Sequence, residues 1–148
     1  MSRTKTSAIL MATLALASSG PISPARAAEP EWNQKEVLRL ADELGEVLHE
    51  AEVASRDAPP QATALQQRKR DAAANGFHRV QKAAADFSAK LRAGRDRELT
   101  QAYFRNVRDT FESTRKLAGD AVPTEKVKQH LTQADKLLEQ LSHYYPEN

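Results

Sequence analysis

Four stretches of helical apolar periodicity, punctuated by prolines and glycines, restrict this chain to an all-helical fold. From Pro30 onward, apolar residues recur at three- and four-residue spacing, with no strand-like alternation between turn signals. Val37, Leu40, Ala41, Leu44, Val47, Leu48 and Ala51 make the first stripe. Pro30 suits the first turn of that helix, and Pro59-Pro60 cannot continue it. The second stripe is Ala73, Phe77, Val80, Ala84, Phe87 and Leu91. Asn75-Gly76 predicts a kink or break within it, the polar run 66–71 predicts a frayed start, and Gly94 predicts its stop. Asp96 is the expected N-cap of a third helix, whose inner face is Thr100, Phe104, Val107, Phe111, Thr114 and Ala118 and whose end is Gly119-Asp120. Pro123 and Glu125 suit the first turn of a fourth, with Val127, His130, Leu131, Ala134, Leu137, Leu138, Leu141 and Tyr145 inward.

The pattern places helices at about 31–55, 62–93, 97–117 and 123–145. Links near 57–61, 94–96 and 119–123 are short enough to make sequential helices antiparallel neighbours. The expected fold is therefore all-α, an antiparallel up-down-up-down four-helix bundle of about 120 residues in one domain.

Residues 1–27 read differently. Arg3 and Lys5 precede a short apolar run at 8–17, and Ala25-Arg26-Ala27 has the small-x-small form of a cleavage site. The run falls short of the roughly 20 apolar residues of a spanning helix. A cleavable signal peptide is expected, leaving an exported, periplasmic or secreted domain from Ala28 with no transmembrane segment.

Removing the leader changes the charge balance. It holds three of the 22 basic residues and none of the 20 acidic ones, so the remainder carries 19 bases and 20 acids. A folded domain near neutrality lacks the basic balance of a nucleic-acid binder. The charge is nonetheless uneven, since residues 28–57 carry nine acids and three bases while 58–116 carry thirteen bases and six acids. Mixed-sign solvated faces explain this more simply than an acidic-partner surface.

The chain has no Cys, and both Met residues lie in the leader. Disulfides, thiolate metal sites, a C-x-x-C-H haem, a lipoprotein anchor and a thioether ligand in the mature domain are excluded.

Few residues point to chemistry. His49, His78 and His143 fall away from the apolar stripes, whereas His130 falls on the inner face. The bundle would bring His130 level with Thr114 and with Gln66 or Arg70, as a small polar pocket at one end. A helix-end histidine reaching water or one partner is the simpler reading, and a lone histidine is a poor metal site. His49-Glu50 begins an H-E-x-x-H pattern, but position 53 is Val53 and the zinc motif fails. Trp32, Phe87, Tyr103, Tyr144 and Tyr145 would gather at the other end, as a ligand slot or, more simply, as end packing with polar tips in water. The basic triplet Arg68-Lys69-Arg70 lacks the interleaved aromatics of a nucleic-acid surface.

The leader followed by four helices resembles the cytochrome b562 and c′ type of exported bundle. The run Lys126-Val127-Lys128 through Gln133, Ala134 and Leu138 to His143-Tyr144-Tyr145 looks like the final b562 helix, which ends in a histidine. That family's methionine has no counterpart in helix 1, and His143 points outward, so haem binding is not carried over. The segment Tyr103-Phe104-Arg105 through Leu117 is also similar to exported helical proteins with no assigned biochemistry. The expected role is a non-enzymatic binding or interaction module for an envelope protein or small ligand, without a cofactor. The alternative is a periplasmic haem- or metal-binding bundle of the b562 type.

Overall fold

The computed structural model describes residues 31–146, so the expected signal peptide at 1–27 lies outside the described residues. Four helices form: α1 (Gln34–Arg56), α2 (Ala64–Arg92), α3 (Arg97–Asp120) and α4 (Glu125–Tyr144). There is no strand among the described residues.

Every helix starts at a side-chain cap. Asn33, Thr63, Asp96 and Thr124 accept from the backbone N–H three residues on, at 3.1, 3.2, 3.0 and 3.3 Å. These bonds satisfy amides that the helix itself leaves open. The caps correct two expectations. Asn33 starts α1 at Gln34, so Pro30 is not in its first turn, and Thr124 starts α4 at Glu125, so Pro123 precedes the cap. Thr63 similarly fixes the polar start of α2, and residues 66–71 are helical.

Gly94 ends α2 at φ 76°, with Gly94 N–H donating to Leu91 O and Arg95 N–H to Lys90 O. This paired closure needs a left-handed residue, which glycine supplies without strain. α3 ends at Asp120, at the expected Gly119-Asp120 stop though beyond the range of about 97–117, and a positive φ of 52° falls on Val122.

Asn75-Gly76 does not break α2, which is continuous from Ala64 to Arg92. Gly76 serves packing. A Cβ built there would lie 2.9 Å from both Thr114 Cγ2 and Thr114 Oγ1. The missing side chain thus lets α2 and α3 approach closely.

The four apolar stripes meet in one core, where Phe77, Phe87, Phe104, Phe111, Leu40, Leu44, Leu48 and Leu141 are fully buried. α1 packs on α2 and α4, and α2 packs on α3, whereas α3 and α4 come near each other at few points. Side-chain size explains the difference. α2 presents Ala73, Ala74, Gly76, Ala83 and Ala84 to its neighbours, while Phe104, Phe111, Leu138, Leu141 and Tyr145 project from α3 and α4. Among the described residues, no helix is long and apolar enough to cross a membrane.

Candidate functional site

A concavity lies along the α1–α2 seam, and small residues create it. Ala41 and Gly45 on α1 and Ala84, Ala85 and Ser88 on α2 line a groove of about 570 Å³. A Cβ added at Gly45 would meet nothing within 4 Å, so the groove is open above that residue. Two polar bridges cross it. Arg92 donates to Asp42 at 2.6 Å, and His49 Nδ1 lies 3.1 Å from Gln81 Nε2.

Glu46 and Glu50 line this groove and also a second one, of about 530 Å³, between α1 and α4. Asp42, Glu46 and Glu50, at i, i+4 and i+8, therefore form an acidic ridge with a depression on each side. One turn before the ridge, Arg39 lies between Glu36 and Glu43 at 2.7 and 2.8 Å. Its hydrogen bonds hold the Glu36 carboxyl below the usual carboxylate range. Volumes of this order suit a small molecule or the side chains of a docked segment. The groove was missed by reading stripes alone, although Ala41, Gly45, Ala85 and Ser88 at near-helical spacing were its available signal.

Three of the four residues of the candidate polar pocket have close neighbours outside it. His130 has a side chain 12% exposed, and its Nδ1 lies 3.5 Å from Glu50 Oε2, across the α1–α4 seam. Neither of its ring nitrogens has a hydrogen-bond partner. Arg70 turns instead to the α1–α2 link, donating to Ala58 O at 2.7 Å, to Pro59 O, and to Gln67 Oε1 at 2.7 Å. Thr114 packs against Gly76, and its hydroxyl has no partner. Gln66 Oε1 is likewise buried and unpartnered. The cavity beside Arg70, bounded by Phe77, Ala118 and Val127, measures only about 20 Å³, room for about one water.

The aromatic residues do gather, Tyr103 excepted. Tyr145 stacks on Phe104 at 4.7 Å and meets Phe87 edge-on at 5.8 Å. Trp32 closes the cluster with its ring 5.6 Å from Tyr145 and 6.5 Å from Tyr144. Among the described residues Tyr103 makes no ring contact with this cluster, and it lies at the same end beneath the Lys90 ammonium at 5.3 Å. Tyr145 is 3% exposed, so this end is packed rather than slotted, and burial pushes its phenol up to about 12.

His78 lies 3.5 Å from Glu52, and His143 is exposed. Among the described residues, no three histidine, aspartate or glutamate side chains converge as metal ligands. The chain matches no protein-family pattern, no curated protein and no solved structure.

Proposed function

We propose that this chain is an exported, non-enzymatic four-helix bundle that acts by binding, and that the α1–α2 groove is its binding surface. The observation carrying this reading is the open space over Gly45, bounded by the Asp42–Arg92 and His49–Gln81 bridges. An envelope protein or a small ligand is the proposed occupant.

The up-down-up-down order is supported by which ends meet. Gln34 at the start of α1 donates to Leu91 O at the end of α2, at 2.6 Å. Trp32 reaches Tyr144 and Tyr145, and Thr100 reaches Tyr145. Export is supported by the charged start, short apolar run and Ala25-Arg26-Ala27 of the leader.

Gly45→Phe tests the groove, because its side chain starts in open space and its ring occupies the groove. Ligands or partners retained by the wild type from envelope extract should be lost from Gly45→Phe and kept by Glu112→Phe on the far face of α3. Equal retention by both variants would discard the groove.

A second reading, a haem- or metal-binding bundle of the b562 type, is favoured only by His130, whose ring nitrogens make no hydrogen bond although Nδ1 lies 3.5 Å from Glu50. Haemin added to the purified protein should leave the Soret band of free haemin unchanged under the binding-module reading. A shifted band abolished by His130→Ala would establish the second reading instead.

A further inference from the structure

We propose that the end of the bundle bearing Trp32, Leu99 and Tyr144 is a docking surface for an anionic lipid bilayer. The surface is built from four helix ends: the start of α1, the end of α2, the start of α3 and the end of α4. Gln34 to Leu91, Trp32 to Tyr144 and Arg97 over Trp32 at 5.7 Å join them.

Its composition suits a membrane interface. Trp32, Tyr103 and Tyr144 are half-buried, packed against the core while still meeting solvent. Such amphipathic rings favour the headgroup level of a bilayer. Leu99, in the first turn of α3 and so at the same end, is 55% exposed. Cations accompany the rings, with Lys90 over Tyr103, Arg97 over Trp32, and exposed Lys35 and Arg95 on the same end. Arg92 is paired with Asp42, and the acids here are Glu31, Glu36, Asp96 and Glu98, of which Glu36 pairs with Arg39 and Asp96 caps α3. Basic side chains near an anionic leaflet favour binding to it.

Chain continuity selects this end over the other. Residues 1–30, which hold the apolar run 8–17, join the bundle next to Trp32. Before cleavage, a leader engaged with a bilayer therefore holds this end nearer to it than the opposite end. The opposite end also exposes apolar residues, Leu65 at 62% and Val122 at 69%, with Arg68 and Lys69 nearby. It has no tryptophan or tyrosine, which makes it the internal control. The proposal does not depend on the groove.

Trp32 is the only tryptophan in the chain and reports directly. The test uses the full chain carrying Leu10→Asn, Leu14→Asn and Leu16→Asn, so that the leader cannot itself insert. The probes are vesicles of neutral phosphatidylcholine, with or without anionic phosphatidylglycerol, containing brominated lipid. Trp32 fluorescence should be quenched by the anionic vesicles and not by the neutral ones. Adding Leu99→Asn with Arg95→Glu should weaken partitioning about tenfold or more, while Leu65→Asn with Arg68→Glu should change it less than about twofold. Unquenched Trp32 on anionic vesicles, equal binding to neutral vesicles, or a loss that follows Leu65 and Arg68 would each overturn the proposal.

Discussion

The Tyr145 hydroxyl lies 2.8 Å from the Thr100 hydroxyl inside the core, fastening the end of α4 to the first turn of α3. Thr100 Oγ1 also lies 2.7 Å from Asp96 O, to which it donates, so Tyr145 is the donor between the two hydroxyls. Tyr145→Phe keeps the stacking on Phe104 and leaves Thr100 its backbone acceptor. It should therefore cost only about 1 kcal/mol in thermal or urea unfolding. Tyr145→Ala also removes the ring and should cost about 3–5 kcal/mol.

The same phenol predicts an alkaline transition. Its ordinary value of 10.0 applies to the unfolded chain, and burial raises it to about 12 in the fold. The fold thus favours the protonated form, and this contribution is complete below pH 10 and lost as the pH rises towards 12. Melting temperatures between pH 9 and 11.5 should fall more steeply for the wild type than for Tyr145→Phe. Parallel curves would contradict the assignment.

Gly76 and Gly45 should respond oppositely to alanine. At Gly76 the added Cβ meets the Thr114 side chain at 2.9 Å. Overpacking should outweigh the better helix propensity and destabilise by about 1–3 kcal/mol. Thr114→Ala in the same chain should restore part of the loss, a coupling that a double-mutant cycle measures. At Gly45 nothing lies within 4 Å, and alanine should stabilise by about 0.4–1 kcal/mol.

These two glycines also show what the sequence made legible. The inward residues of all four stripes are buried, apart from His130 and Leu131, which are half-buried, because period and burial are directly linked on a helix. The role of Gly76 was hidden, since local propensity favours a break while the close approach of α3 favours continuity. Helix starts slipped by up to three residues where a cap overrode proline. Side-chain reach was less legible than helical phase. Helical phase placed His130, Arg70 and Thr114 inward, but side-chain reach sends Arg70 to the Ala58 and Pro59 carbonyls and turns His130 towards Glu50. The groove comes from missing side chains, which a search for reactive residues passes over.

Val122 holds a positive φ of 52° with a β-branched side chain that is 69% exposed. That conformation costs a β-branched residue of order 1–3 kcal/mol, and burial of the side chain offsets little of it. Val122→Asn tolerates the left-handed region and should raise stability by about 1 kcal/mol in thermal melts. An unchanged or lower melting temperature would mean that the turn carries no such strain.

Site-specific photo-crosslinking tests the central claim, that this bundle binds through the α1–α2 groove. Benzoylphenylalanine would replace Gly45 in the groove or, as a control, Glu112 on the outer face of α3. Irradiation in envelope extract should give a discrete adduct from position 45 that an excess of wild-type protein competes away, and none from position 112. The same adducts from both positions, or none from position 45, would contradict the account.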